Sequence, residues 1–214
     1  MSNDTLLHEK LYRGKNFKNV LSTKICVFGL GALGSNLVDT LTRQGYNKIS
    51  IVDFDRIQKH NINTQIWSLE DVGKLKSNAI DYIVYGNTDI ELTCFNKKVD
   101  SKNISKFAKD STICIDCFDN TQSRKVVSEF CRKQNKDCLH LGLFEGYGEV
   151  VWNEKYSVPE LDDEKYDLCD YPLSRNIVGF TVYTAAEILT QFLMSKRKKN
   201  KSITLTDLNI SEYT

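Results

Sequence analysis

The sequence predicts an α/β fold built on a mostly parallel sheet with helices on both faces and an antiparallel C-terminal extension. Three observations carry this expectation. Residues 24–34, "KICVFGLGALG", run an apolar strand straight into glycines at 29, 31 and 34, three of only eleven in the chain. Short apolar, β-branched runs then alternate with helical periodicity as far as residue 136, the pattern of right-handed βαβ crossovers. After that point strand patterns return at 138–153 and 202–210, on either side of one long apolar helix.

Taken in order, residues 5–22 read as a helical lead-in containing "LYRGKNF". Ile25 to Phe28 form the first strand, and 34–45 a helix with Leu37, Val38 and Leu41 on one face, closed by Gly45. "KISIVDFD", 48–55, is a strand that ends in carboxylates. Residues 70–86 read as a helix with Ala79, Ile80, Ile83 and Val84 inward. The alternating 91–99 is a strand, 103–110 a short helix, and "STICIDCFD", 111–119, a buried strand. Residues 120–136 form a helix with Asn120 near its cap. "CLHLGLFEGYGEVVWN", 138–153, supplies one or two strands around glycines. The polar 153–176 holds both prolines and reads as a surface crossover loop. The helix 178–195 is apolar enough all round for a partner subunit to cover one face.

Bulk properties exclude several classes. At 214 residues the length fits one domain, 1–214. The 29 Lys+Arg against 28 Asp+Glu produce no global field for nucleic acid or membrane. The sequence shows no uninterrupted apolar stretch of about 18 residues, and "MSNDTLLHEK" lacks a secretory core, so the expected location is cytoplasmic. The basic run 196–201 reads as a solvated turn whose cations suit a helix C-terminus. Seven cysteines, an odd number set mostly in apolar patterns, suit reduced thiols. Cys114 and Cys117 form a lone C-x-x-C inside a core strand, so no structural zinc is expected.

A strand feeding a helix through G-x-G-x-x-G has a physical use. The first glycine makes the tight turn, the second lets the backbone approach a phosphate, and the third lets the helix pack on the strand. The helix N-terminus then offers N–H groups and a positive dipole end to an anion. Asp53 ends the second strand about 20 residues later, where a Rossmann-like nucleotide fold keeps an acid for a ribose hydroxyl. These features alone fit a nicotinamide-dependent oxidoreductase equally well.

Four further stretches follow in order: the D-x-D of Asp53 and Asp55, "NINTQ" at 61–65, "GKLK" at 73–76, and "DCFDN" at 116–120 with Arg124 after it. With the glycine loop, these resemble the ThiF/MoeB family of adenylyltransferases related to ubiquitin-activating enzymes. The resemblance runs from "LYRGKNF" to "ITLTDLNI", nearly the whole chain. It implies an ATP- and Mg²⁺-dependent enzyme that activates a carboxylate, most often the C-terminal glycine of a ubiquitin-like or sulfur-carrier protein, as an acyl-adenylate. It also implies a homodimer. Under it, Gly29, Gly31, Ala32, Leu33 and Gly34 form the nucleotide loop, with Asp53 at the ribose and Asp55 among the cofactor-binding residues. Asn61, Gln65 and Asn120 lie by the phosphates, Lys76 is a point charge on them, and Asp119 is the Mg²⁺ ligand.

The departures bear on activity. Many relatives read N-x-x-R-Q, and this chain has Thr64 in place of that arginine. Arg56, just upstream, and Arg13, which in family dimers would reach the partner's ATP, are the candidate replacements. The family's paired C-x-x-C zinc site is absent. Cys169 is the sole candidate for a thioester, so adenylation without a thiol relay is expected. Three alternatives stand beside this reading: a tRNA threonylcarbamoyladenosine dehydratase-like enzyme, a non-catalytic partner subunit, and an NAD(P)-dependent oxidoreductase. A tRNA enzyme should carry a strong basic surface, and a net charge of +1 argues against one.

Overall fold

Why the sheet is so dry follows from its two faces. In β1 (Ile25–Phe28) every residue is buried. Ile25 and Val27 face one apolar cluster, and Cys26 and Phe28 face another. β4 (Ile113–Asp116) repeats this, with Ile113 and Ile115 on the first face and Cys114 on the second. A strand covered on both sides reads as a continuous apolar run, which is how parallel sheets announce themselves. The structure, a computed structural model, describes residues 4–159 and 172–213. Most of the expected crossover loop, with Cys169, lies outside the described residues.

The described strands form one eight-stranded sheet in the order β3-β2-β1-β4-β5-β6-β7-β8. β3 (Thr93–Phe95), β2 (Ile49–Val52), β1, β4 and β5 (Asp137–Phe144) are mutually parallel. β6 (Tyr147–Trp152), β7 (Lys201–Thr204) and β8 (Asn209–Glu212) add on antiparallel. Two short helices, α1 (Leu7–Arg13) and α2 (Phe17–Ser22), precede the sheet. On one face lie α3 (Ala32–Arg43), α4 (Lys76–Thr88) and α7 (Arg175–Ser195); on the other lie α5 (Ile104–Ala108) and α6 (Thr121–Lys133).

Several boundaries differ from the expected ones, each for a local reason. α3 begins at Ala32 rather than 34, so the third glycine sits inside its first turn. α4 begins at Lys76 rather than 70. The chain before it makes a 3₁₀ turn at Leu69–Asp71, closed by reciprocal Ser68 and Asp71 bonds, and then a bend at Gly73 with φ 91°. Periodicity alone did not separate these turns from the helix. β3 is only three residues long, and the single strand expected at 202–210 is a hairpin, β7 and β8, turning through Leu208 at φ 53°.

α7 has the length and the mean hydropathy, 1.4, of a membrane span, contrary to the first expectation. Most of it is buried against α3 and β5–β7, so its apolarity serves the core. Phe180 and Tyr183 are its exposed exceptions, at 41% and 67%.

Candidate active site

The chain leaves β1 toward β2 and β3, then returns to lay β4 on the other side of β1. Loops at the carboxyl ends of β1 and β4 therefore diverge and open a crevice, where open α/β sheets bind ligands. A cleft of about 300 Å³ lies there. Gly29, Gly31, Asp53, Asp55, Lys76, Asp119 and Asn120 line it, together with Phe54, Lys98, Val99, Phe118 and others.

The three glycines do different jobs. Gly29 has φ 88°, and a Cβ there would stand 3.1 Å from the Cys117 backbone. At Gly34 a Cβ would come within 1.9 Å of the Gly29 carbonyl oxygen, so α3 sits this close to the strand only because the side chain is a hydrogen. Gly31 has an ordinary φ of −72°, and a Cβ would meet nothing within 4 Å. None of the described residues requires that glycine. The space over it is open cleft, where a phosphate can approach the backbone.

Asp53 is buried and organises the turn. One carboxylate oxygen accepts from Leu30 N at 2.6 Å and the other from Asp55 N at 2.7 Å. Burial raises its pKa, which Lys76 and the Leu30 N–H only partly offset. Lys76 opens α4, its backbone N donating to Asp55 O and its ammonium lying 3.3 Å from the Asp55 carboxylate. The lysine side chain is 8% exposed, against 50% for Asp55. A nucleotide can therefore draw this ammonium from a carboxylate that water readily solvates. Asp119 is exposed in the cleft wall, and Asn120 behind it caps α6 by accepting from Ser123 N at 2.9 Å. Among the described residues no cluster of three or more metal-ligating side chains exists. A divalent ion here would rest on Asp119 and on ligand oxygens, a donor set that suits Mg²⁺.

Six expected contacts are not brought to the cleft. Arg13 is clamped by Glu187 of α7, Nη1 to Oε1 at 3.0 Å and Nη2 to Oε2 at 2.7 Å, and also meets Glu9. Its guanidinium thus closes α1 onto α7 and is only 6% exposed. Arg56 donates to Gly73 O and faces a separate depression beside Lys74 and Tyr82, because its backbone is bridged to Leu75. Asn61 accepts from Gln58 N, and Gln65 accepts from Trp67 Nε1, so both buried amides lock the 58–67 turns. Ala32 and Leu33 form the first turn of α3 beside the loop, and neither lines the cleft.

The sequence reading missed a buried polar network beneath the α6 end of the cleft. Asp116, the first acid of "DCFDN", is fully buried. It accepts from Phe118 N at 3.1 Å and pairs with His140 Nδ1 at 2.9 Å. His140 Nε2 faces Asn153 Oδ1 at 2.9 Å, which also accepts from Ser128. Arg124 donates to Tyr156 Oη and Leu141 O, and Tyr156 stacks on His140 at 3.9 Å. Burial alone would raise the Asp116 pKa, but His140 and Arg124 more than offset it and hold the carboxyl below its ordinary value. The doubled aspartates of "DCFDN" were the available signal. The partner, His140, is 24 residues away. Lys98 and Val99 were likewise absent from any motif.

Comparison with known proteins places this architecture. A family profile described as ThiF family matches residues 5–208. The adenylyltransferase and sulfurtransferase MOCS3 of Caenorhabditis briggsae is 32% identical over 116 residues, 53% of this chain and 29% of that protein. The SAMP-activating enzyme E1 of Haloferax volcanii is 26% identical over 62% of this chain and 50% of its own length. The tRNA threonylcarbamoyladenosine dehydratase of Haemophilus influenzae is 24% identical over 62% of this chain and 52% of its own. The chain thus spans about half or less of these curated relatives. Among solved structures, E. coli MccB with ATP superposes with a TM-score of 0.82 at 16% identity, covering 100% of this chain and 72% of that one. On the profile match, which spans the glycine loop, the cleft and the antiparallel strands β6 and β7, the chain belongs to the ThiF family.

Proposed function

We propose that this protein is an ATP-dependent adenylyltransferase that activates a carboxylate, the C-terminal glycine of a ubiquitin-like or sulfur-carrier protein. The observation that carries the reading is the convergence of Gly31, Asp53, Lys76 and Asp119 on one cleft at the β1/β4 switch point. The carboxylate oxygen attacks the α-phosphorus of ATP, the bond to the β-phosphate breaks, and pyrophosphate leaves as the mixed anhydride forms. Little covalent work falls to the protein, so catalysis is positioning and charge stabilisation. The backbone over Gly31 and the N-terminus of α3 face the phosphates, Asp53 takes the ribose, and Lys76 balances charge developing on the triphosphate. Asp119 would hold Mg²⁺, which neutralises phosphate charge. With Arg13 and Arg56 engaged elsewhere, Lys98 is the other ammonium lining the cleft.

The relatives named for adenylyl transfer and E1 activity support this reading, and so does the MccB–ATP fold likeness. The dehydratase relative favours tRNA as the target, but part of the basic run is already held by neighbouring side chains. Lys198 is paired with Asp137 and Glu154, Lys199 with Gln191, and Lys201 with Glu212. A homodimer through the outer face of α7 and a reducing, cytoplasmic setting belong to the same proposal; the six described cysteines are free.

Calorimetry with ATP–Mg²⁺ and NAD separates the enzyme classes directly: ATP should bind and NAD should not. Pyrophosphate exchange driven by a carrier protein ending in glycine should then fall by about 10²-fold or more in both Lys76→Ala and Asp119→Ala, the scale for removing one charge-stabilising group. Undiminished exchange in both variants sinks the assignment.

A further inference from the structure

The carboxylate the site does not use is Glu149 on β6. It stands opposite Gly142 of β5, and its side chain lies across that glycine: a Cβ on Gly142 would fall 2.7 Å from Glu149 Oε1 and 2.9 Å from its Cγ. Gly142 is thus the residue that lets this carboxylate lean from β6 across β5. Among the described residues Glu149 has neither a hydrogen bond nor an ion pair. Other carboxylates withdrawn from water behave otherwise: Asp71, Glu187 and Asp53 each have partners. Burial raises its pKa even though Arg124 and His140 lie within electrostatic range. An acid kept half-dry without a donor is out of place in a stable fold and suits a site that a ligand completes.

Among the described residues no helix packs closely on this face of β6 and β7: α7 lies against the opposite face of β5–β7, and α6 packs chiefly on β4 and β5. Glu149 and Tyr147 point to the α6 side, where Ser202 of β7 and Ser211 of β8 continue the same row. Phe144, at the tip of the β5–β6 hairpin, is 59% exposed. β5 pairs with β4 as far as His140 opposite Asp116 and then runs on to Phe144, on the side of the sheet where Cys117–Asn120 leave β4 to form one wall of the cleft.

We propose that Glu149 is a specificity residue that receives a basic side chain, lysine or arginine, on an extended polypeptide tail entering the cleft along β5 and β6. The inference rests on the adenylyltransferase reading and names its substrate class further. Two strand spacings separate β4 from β6, about 10 Å. An extended chain covers about 3.3–3.6 Å per residue, so the basic residue lies roughly three to five positions before the reacting carboxylate. The occupant follows from charge: an anion is repelled here, and an apolar residue leaves the carboxylate dry and unpaired.

The test uses N-acetylated octapeptides ending in Gly-Gly, with lysine, alanine or glutamate placed in turn at the third to sixth positions from the end. Peptide-dependent pyrophosphate exchange is measured on the whole protein, with ATP binding followed in parallel by calorimetry. At one register, lysine should lower KM by about tenfold against alanine, the lower range for a hydrogen bond between charged groups, and glutamate should raise it. Glu149→Gln should remove that preference while kcat at saturating peptide is kept, and Glu149→Lys should move the preference to glutamate. Equal KM for all three residues at every position in the wild-type protein overturns the proposal, with no dependence on how any variant folds. So does a lysine preference that survives in Glu149→Gln, or ATP binding with no exchange on any peptide. A protein that fails to bind ATP defeats the adenylyltransferase reading itself and the inference with it.

Discussion

Two glycines in one loop separate binding from folding. Gly34 is demanded by the protein, since a methyl there meets the Gly29 carbonyl oxygen at 1.9 Å and either α3 or the loop must move. Gly34→Ala should cost about 1–3 kcal/mol, the range for overpacking, and lower the melting temperature by several degrees. Gly31 is demanded by none of the described residues, because its φ suits any residue and its Cβ position is open. Gly31→Ala should melt with the wild type and bind ATP–Mg²⁺ at least tenfold more weakly, since a buried methyl in the way displaces the phosphate by a few tenths of an ångström or more. Differential scanning calorimetry and titration calorimetry read the two quantities separately. Wild-type ATP affinity in Gly31→Ala would mean that the loop does not carry the phosphates.

At the level of elements, two polar connections decide how helices are seated. The Arg13–Glu187 pair ties α1 to α7 through two parallel N–H···O bonds. Glu187 keeps 39% of its side chain exposed, so water screens part of the attraction. Arg13→Ala should therefore cost about 1 kcal/mol and leave exchange per folded molecule intact. Lost exchange at unchanged stability would instead favour a role for Arg13 across a dimer. The Asp116–His140–Asn153 network binds β4 to β5 and to the segment after β6, and its members are buried. His140→Ala leaves a buried carboxylate without its main donor and should cost about 3–5 kcal/mol. The pH dependence follows from the sign of the Asp116 shift. Its folded pKa lies below the ordinary 3.8, so its ionised form stabilises the fold above that value. The contribution is lost as pH falls through the lower, folded value. Circular dichroism during acid titration should show Asp116→Asn less stable at pH 7 but flatter than the wild type below about pH 4.

For the whole molecule, the conspicuous surface is the one that α1 and α7 share. Leu11 and Tyr12 are 72% and 79% exposed, and Tyr183 on α7 is 67% exposed. Exposed aromatic and aliphatic side chains on adjoining helices are the composition of an interface core. Sedimentation velocity at tens of micromolar should give a dimer, and Tyr183→Glu should shift it toward monomer while leaving the melting of the isolated chain unchanged. A wild-type monomer at that concentration ends the dimer part of the proposal.

The order of elements and the place of the crevice were legible in residues 24–119. Continuous apolar runs identify strands covered on both faces, and the glycines at 29 and 34 mark a turn and a close helix approach that side chains would prevent. Those are local constraints, written in neighbouring residues. The start of α4 was not legible, because its periodicity carries back through a 3₁₀ turn and a positive-φ glycine that break the helix without breaking the pattern. Nor could spacing say that Arg13 would be taken by Glu187, 174 residues away. Lys98 in the cleft wall and Glu149 alone on β6 are likewise invisible to any motif. Sequence by itself determined which chemical groups are present and which local turns they allow. The tertiary structure alone decided which charges are already paired, because pairing depends on distance in space, and the groups left unpaired are the ones a ligand can use.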